Sequence, residues 1–416
     1  MALSLRRKRE ALRGRYTPNL WPVWIVAPVA LIAAGALGWV IYHYAYDHFA
    51  QAAADQKPPK PVNINDPLKA TVTALTLIGA VLAGLYAYRK QLLAEGDAHR
   101  ADASQLAERY TTAAEQLGHD QAAVRLAGVY ALARLADDWA EQRQVCVDVL
   151  CAYLRMPYEP DPSLPGHKEG EREVRHTIIQ VIRDHLQEPE AATAWSLHDF
   201  NFTDAVFDGG NFTTSHFRGR VTFRGASFGG GTVSFNAATF SGPNVTFSGA
   251  TFGGGTVLFS GATFNGPTVL FDGATFSGSN VRFETATFSG PTVYFVGATF
   301  SGSTVFFVGA TFNRSTVHFN GATLSGGTVL FSGATSSGST IIFNGATFNG
   351  STVRFNGATF NGSTVHFGGA TFNSGTVHFN STRLSGGTVS FGSGGTAARF
   401  SGTTFEWGPL PVPAGA

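Results

Sequence analysis

The sequence predicts an α-helical membrane hairpin and a further helical segment, followed by a parallel β-solenoid. Three patterns support this fold class. Two long apolar runs lie near the N-terminus, apolar residues then recur at three- and four-residue steps to about residue 158, and a twelve-residue repeat runs from Phe228 to Phe391. Most charged residues precede residue 196, and the formal net charge of the 416 residues is only +1. The composition therefore implies no strongly acidic or strongly basic partner for the whole chain.

The N-terminal region is predicted to contain a basic tail (1–19), two membrane spans (20–44 and 70–88) and a connecting loop (45–69). Neither span contains Lys, Arg, Asp or Glu, and each is long enough for about 30 Å of hydrocarbon. The tail has six Lys and Arg residues against a single acid, Glu10. The positive-inside rule therefore predicts a cytoplasmic N-terminus and a cytoplasmic segment after the second span. We expect a multi-pass protein of the plasma (inner) membrane.

A cleaved signal peptide is the alternative interpretation of the first span, with the alanines at 52–54 as a candidate processing site. The apolar run is longer than a typical signal core, which disfavours cleavage. The second span would in any case return the C-terminal part to the cytoplasm. Small residues at four-residue spacing, such as Ala34 and Gly38, would let two helices approach closely. They fit either a packed hairpin or association between chains.

Residues 89–158 are predicted to form cytoplasmic helices, because their apolar residues recur at helical spacing. The charged residues of this segment, Arg125 and Arg143 among them, are predicted to be solvated. Residues 159–195 contain a linker rich in Pro and Gly and then an amphipathic helix from Glu171 to Leu186. We expect this helix to cap the solenoid, because stacked repeats need a covered end.

The two cysteines, Cys146 and Cys151, fall within the helical segment. Five residues apart, they would lie about 140° apart around a helix, a geometry that suits neither a disulfide nor a shared metal ion. We therefore expect two reduced thiols, as is usual in the cytoplasm.

The unit A-T-F-x-G-x-x-V-x-F-x-G repeats without a slip from Phe228 to Phe391. One column is Phe in all fourteen units, and the other holds eleven Phe, with Leu324, Ser336 and Leu384 as exceptions. Apolar residues two apart lie on one face of a strand, and the Gly, Ser and Asn residues after each Phe supply turns. The repeat therefore predicts short strands stacked coil on coil, about 4.8 Å per layer, with Phe ladders inside.

The A-x-F-x-G pattern resembles that of pentapeptide-repeat proteins. The two-span N-terminus, the helical segment and the lead-in WSLHDFNFTDAVFDGGNF are similar to those of membrane-anchored members of that family. The resemblance implies a right-handed, quadrilateral β-helix in which four units form one coil. It also implies that Phe355 and Phe360 point inward as centre residues, with Val353 and Ala358 as their inward companions.

The spacing departs from the family pattern, because alternate units carry two extra residues. Four units would then give a coil of 24 residues. A coil of twelve residues is the alternative, although two Phe rings per turn are bulky for so narrow a tube. We assign the solenoid to residues 196–405 and a Pro-rich tail to residues 406–416.

One position between Val and Phe varies from unit to unit and is predicted to point outward. A coil of 24 residues places Leu258, Arg282, Phe306, Leu330, Arg354 and His378 on one face and Leu270, Tyr294, His318, Ile342 and His366 on another. Apolar, aromatic and Arg side chains together are typical of a binding surface. The candidate interaction residues are Arg282, Tyr294, Phe306, His318, Ile342, Arg354, His366 and His378. Packing between successive coils is the alternative explanation of the same residues.

The sequence predicts no catalytic, cofactor-binding or metal site. Asp272 and Glu284, the only carboxylates between Phe228 and Phe405, are expected on opposite faces, unlike the paired acids of glycosidases. His318 and His366 would be two layers apart, too far to share a metal ion. Five Arg against two acids in this stretch is the wrong sign for mimicry of DNA and too sparse for nucleic-acid binding.

The expected function is that of a non-enzymatic, membrane-anchored scaffold or protein-interaction module that presents a rigid β-solenoid in the cytoplasm. Its expected partners are the membrane and a protein, with no nucleic acid and no small-molecule substrate. The alternative is a self-associating structural protein whose solenoids join end to end or side to side. An enzyme would have to use the helical segment.

Overall fold

The structure, a computed structural model, describes residues 23–55, 61, 63–266, 268–290, 292–393, 396–401 and 404–407. It divides the chain into two compact units, Met1–Ala103 and Ser104–Ala416. The helices of the described residues are α1 (Val23–Ala54), α2 (Asn65–Leu117), α3 (Ala122–Asp138), α4 (Arg143–Leu154) and α5 (Glu171–Asp184), with a 3-10 turn at Ala140–Gln142. The boundary between the two units falls inside α2.

The first unit contains α1 and the first part of α2. The basic tail and the first residues of the predicted span at 20–44 lie outside the described residues. Helix α1 runs past residue 44 to Ala54, and α2 begins at Asn65, so the observed connection is shorter than the predicted loop. A Cβ atom on Gly38 would lie 3.1 Å from Leu75 Cδ1, so the small residue lets the two helices approach closely here.

One stretch of the described residues, Asn65–Gln91, is long and apolar enough to cross a membrane, judged by length and composition alone. This stretch contains the predicted span at 70–88. Large apolar side chains on both helices of the first unit are exposed, including Ile32 (73%), Leu77 (63%) and Val81 (62%). Exposed apolar side chains of this kind mark a surface that has an apolar environment or a partner.

Two arginines of the helical segment, Arg125 and Arg143, are buried, and the prediction of solvated side chains is wrong for both. Arg143 donates hydrogen bonds to the carbonyl oxygens of Ala136 (2.8 Å) and Ala192 (2.9 Å). Arg125 is 0% exposed, and its Nη2 lies 3.4 Å from Glu171 Oε2. The last carbonyl groups of a helix have no partner within the helix. A long guanidinium side chain can supply one from another element, which a local pattern does not reveal.

Cys146 and Cys151 are free and buried in α4. Burial raises the pKa of Cys146 to about 11 and that of Cys151 to about 12. Both thiols therefore keep their protons near neutral pH and are poor nucleophiles.

From Phe200 onward the chain forms a parallel β-solenoid with four main sheets, named here A to D in the order in which each coil visits them. Sheet A comprises Phe200–Asn201, Val221–Thr222, Val245–Thr246, Thr268–Leu270, Thr292–Tyr294, Thr316–His318, Thr340–Ile342, Thr364–His366 and Thr388–Ser390. Sheet B comprises Val206–Phe207, Ser227–Phe228, Thr251–Gly253, Thr275–Ser277, Thr299–Ser301, Thr323–Ser325, Thr347–Asn349, Thr371–Asn373 and Arg399–Ser401. Sheet C comprises Gly210–Asn211, Thr232–Ser234, Thr256–Leu258, Asn280–Arg282, Thr304–Phe306, Thr328–Leu330, Thr352–Arg354, Thr376–Phe379 and Thr404–Trp407. Sheet D comprises His216–Phe217, Thr239–Phe240, Thr263–Phe264, Thr287–Ser289, Thr311–Asn313, Thr335–Ser337, Thr359–Asn361 and Arg383–Ser385. A hairpin of Gly392–Ser393 with Thr396–Ala397 interrupts the last coil.

The strand register confirms the coil of 24 residues and rules out the coil of twelve. Thr256 pairs with Asn280, so equivalent residues of successive coils are 24 positions apart. The first coil is shorter, because Phe200 pairs with Val221. In this register every side chain lies next to the same position of the coils above and below.

The interior is made of stacked rings. Phe355, Phe360, Val353 and Ala358 are each at most 2% exposed, which confirms their predicted inward direction. Rings of one column stack almost in parallel, as between the rings of Phe331 and Phe355, whose centroids are 5.1 Å apart. Burial of a Phe side chain stabilises a fold by about 1.5–3 kcal/mol, and an aromatic pair adds about 0.5–1.5 kcal/mol. The ladders are therefore the main source of stability in the solenoid.

Serines at the corners also point inward, although the sequence pattern suggested only turn chemistry. Ser303 and Ser351 are each 2% exposed. Ser303 Oγ donates to the carbonyl oxygen of Phe276 (2.9 Å), and Ser351 Oγ donates to that of Leu324 (2.7 Å). Each hydroxyl thus gives a buried backbone carbonyl a partner. The two extra residues of alternate units build these corners.

The ring column of sheet D is interrupted at Ser336, where a serine replaces Phe. Ser336 is 2% exposed, and its hydroxyl donates to Ser363 Oγ at 3.0 Å. The buried hydroxyl therefore has a partner, and the destabilisation at this position comes from the missing ring between Phe312 and Phe360. Loss of a buried ring costs on the order of 3–5 kcal/mol where the site cannot collapse.

The solenoid is tied to the helices before it through Asp208. Its carboxylate accepts hydrogen bonds from Tyr158 Oη (2.8 Å), Arg172 Nε (2.9 Å) and His176 Nε2 (2.9 Å). Burial raises the pKa of Asp208, but the hydrogen bonds from His176 and Tyr158 outweigh it and lower the pKa to about 2. The carboxylate is therefore charged at neutral pH and joins α5 to the first coil.

Ser336→Phe should stabilise the protein, because the new ring would complete the sheet D column. We expect a gain of about 1–3 kcal/mol, which corresponds to a Tm increase of several degrees, measured by thermal unfolding of the purified chain. Ser337→Phe is the matched control: residue 337 is exposed, so the same change there should leave Tm nearly unchanged. A clear drop in Tm for Ser336→Phe would show that the space of the ring is already filled.

Candidate interaction faces

The variable outward residues form two columns on different sheets. The column on sheet C, named here the C ladder, consists of Leu258, Arg282, Phe306, Leu330, Arg354 and His378. The column on sheet A, named here the A ladder, consists of Leu270, Tyr294, His318, Ile342 and His366. This is the division that the 24-residue coil predicted. The structure thus brings the candidate residues together as two separate rows on two faces of the solenoid.

In the C ladder, Arg282 is held by two neighbours. Its guanidinium carbon lies 4.9 Å from the ring centroid of Phe306, and Nη1 is 3.8 Å from Glu284 Oε1. The Arg282 side chain is still 41% exposed and that of Glu284 34% exposed, so the ion pair is worth less than about 1 kcal/mol. Arg354, three coils further on, is exposed. The C ladder therefore alternates positive charge with a partly exposed apolar centre at Phe306 and Leu330.

In the A ladder, Tyr294 and His318 stack with ring centroids 4.9 Å apart and nearly parallel planes. Ile342 separates His318 from His366, which matches the predicted order of layers. The Nδ1 atoms of both histidines are buried and have no hydrogen-bond partner. Much of this ladder is thus packing between coils, which was the alternative explanation for the variable residues.

Two titratable groups beside the A ladder have shifted pKa values. Burial lowers the pKa of His318, and the nearby Asp272 partly opposes that effect. Burial raises the pKa of Asp272, while the backbone N–H of Val296, 3.1 Å from Asp272 Oδ1, lowers it. Asp272 follows a strand of sheet A, whereas Glu284 follows a strand of sheet C. The two carboxylates therefore lie on different faces, as predicted from the coil.

Sequence reasoning missed that Glu284 lies beside Arg282, because it compared Glu284 only with the other carboxylate. The spacing of two residues along one outward face was the available sign. Within the described residues, no group of three or more His, Cys, Asp or Glu side chains could hold a metal ion.

Comparison with known proteins agrees with the repeat seen in the structure. The family model described as pentapeptide repeats matches the chain with nine copies, at residues 212–258. The chain thus contains pentapeptide repeats, here lengthened in alternate units. A solved structure of trypsin-treated QnrB1, a plasmid-mediated fluoroquinolone resistance protein, shares 18% sequence identity, with 41% of this chain and 85% of that chain covered and a TM-score of 0.13. The search of curated proteins gives no significant match.

His318→Gln should reduce the loss of stability on acidification. Because burial lowers the pKa of His318, the unfolded chain takes up this proton at a higher pH than the folded protein does. Stability is therefore lost as the pH falls below the unfolded value of about 6.5. Urea unfolding at pH 7, 6 and 5 should show a smaller decrease for the variant than for the parent protein. Ile342→Val, which has no titratable group, should keep the parental pH dependence; equal pH dependence in all three proteins would contradict the prediction.

Proposed function

We propose that this protein is a non-enzymatic scaffold of the plasma (inner) membrane, with two N-terminal spans and a cytoplasmic β-solenoid that binds a protein partner. The C ladder is the proposed contact surface. It combines two arginines with a partly exposed Phe and Leu in one row, and this is the observation that carries the proposal. Such a mixture of Arg and apolar side chains is enriched at protein interfaces.

The membrane part of the proposal is supported by the first unit. Asn65–Gln91 has the length and composition of a span, and exposed apolar side chains occur on both α1 and α2. The basic residues before α1 and the Arg89-Lys90 pair after the second span favour a cytoplasmic location for both flanks. The solenoid follows the second span and would lie on the same side.

The charges of the C ladder favour a different protein as partner over a second copy of this chain. Two antiparallel copies would bury the apolar centre best if Phe306 met Leu330. In that register Arg282 of one copy would face Arg354 of the other, and like charges opposite each other are destabilising. A partner with acidic side chains about three layers, or 14 Å, apart would avoid this repulsion. Side-to-side self-association through this face is therefore the weaker alternative.

Replacing both ladder arginines should abolish partner contacts. We expect cross-linking in membranes, followed by mass spectrometry, to give cross-links from the solenoid to another protein. Arg282→Glu with Arg354→Glu should reduce them at least about tenfold, as expected from charge reversal of two interface residues.

Arg314→Glu with Arg383→Glu is the matched control, since it makes the same change of charge at two exposed residues beside and on sheet D. It should leave the cross-links unchanged. If only self-cross-links occur, and the C ladder variants do not alter them, self-association is the better explanation.

The proposed topology can be measured by thiol labelling, because both native cysteines are buried with raised pKa values. Asn63→Cys, between α1 and α2, should react with a membrane-impermeant maleimide in intact cells. Ser337→Cys, on the solenoid surface, should react only after the membrane is permeabilised. Labelling of both positions, or of neither, in intact cells would contradict two spans with a cytoplasmic solenoid.

A further inference from the structure

A cavity of about 370 Å³ lies in the second unit, at the C-terminal end of α2 and beside α4 and the loop before α5. Its walls are mainly apolar and include Leu117, Val149, Met156 and Pro157. Small-molecule sites in proteins have volumes of about 300–1,000 Å³ and combine apolar walls with a few polar groups. This cavity has both properties and lies away from the two ladders of the solenoid.

The free charge in the lining is positive. Glu171 is the only carboxylate of the lining, and it is already engaged. Tyr153 Oη donates to Glu171 Oε2 at 2.7 Å, and Arg125 and Arg175 approach the same carboxylate to 3.4 and 3.7 Å. Lys168, in contrast, is exposed and forms no ion pair with a carboxylate in the part of the chain that the structure describes. An ammonium group beside apolar walls is therefore left for a ligand.

These features decide the kind of ligand. An apolar body would displace water from the walls formed by Leu117, Val149 and Met156. An anionic head would pair with Lys168, and charge-assisted hydrogen bonds of this type are stronger than neutral ones. A cationic head would meet Lys168 and the two arginines behind Glu171. Inorganic phosphate would leave the apolar walls uncovered.

We propose that this cavity binds a small amphipathic carboxylate, with its apolar body between α2 and α4 and its carboxylate on Lys168. The site is independent of the proposed scaffold function and of the C ladder. Its ligand would contact the end of α2, α4 and the loop before α5 at the same time, and would therefore brace these elements against one another.

Isothermal titration calorimetry of the full chain tests the proposal with three probes of one shape: 4-phenylbutyrate, 4-phenylbutylamine and 4-phenylbutanol. We expect saturable binding of the carboxylate, weaker binding of the alcohol and no binding of the amine. Lys168→Ala should weaken carboxylate binding roughly tenfold and leave the alcohol unaffected. Lys168→Arg should retain most of the affinity.

Two further variants separate a specific site from partition of the probes into detergent or from a folding defect. Arg134→Ala, which removes an exposed cation outside this cavity, should not change binding. Ala152→Phe should fill the cavity and abolish binding of both carboxylate and alcohol, with circular dichroism as the check of folding. The proposal is overturned if the parent protein does not bind the carboxylate. It is also overturned if all three probes bind alike, or if Lys168→Ala binds the carboxylate as the parent does.

Discussion

The whole solenoid depends on one constraint: every side chain lies beside the equivalent side chain of the next coil. Parallel backbone hydrogen bonding with a 24-residue register imposes this stacking, as in the pairing of Thr256 with Asn280. A residue type can fill a column only if it tolerates its own copy at about 4.8 Å. Phe does so by stacking, and Thr does so through its β-branched side chain. A column of charges would repel itself, which explains why the repeat is almost uncharged and why Arg282 and Arg354 are three coils apart.

The same constraint separates structure from function in the repeat. Inward columns cannot vary without loss of a ring, and Ser336 shows what variation requires, since its hydroxyl is satisfied only because Ser363 is within 3.0 Å. Outward columns are free to vary because one layer can differ from the next at little cost. Both ladders use this freedom, but in different ways. Tyr294 and His318 stack on each other, whereas Arg354 is exposed to solvent and is available to a partner.

The period of the sequence was sufficient to predict the coil, the inward columns and the two outward faces, because each follows from spacing alone. The inward direction of Ser303 could not be read from spacing, since its partner is a carbonyl group in the previous coil. Arg125 and Arg143 were misjudged for a similar reason. Their carbonyl and carboxylate partners come from other helices and loops, and helical periodicity carries no information about such contacts. The bounds of the N-terminal spans likewise depend on more than apolar composition, and α1 continues through polar residues to Ala54.

The ends of the solenoid differ, and the difference bears on how such a protein could assemble. An open sheet end exposes unpaired backbone groups that can pair with another chain. At the first coil, helix α5 lies against the backbone, since a Cβ atom on Gly210 would be 3.1 Å from Ile179 Cδ1, and Asp208 fixes the helix in place through three hydrogen bonds. The first coil is also shorter than those that follow, so it does not offer the 24-residue register to a second solenoid. Head-to-tail growth through this end would require α5 to leave and Asp208 to lose its partners. A solenoid capped in this way favours contacts through its side faces over end-to-end assembly.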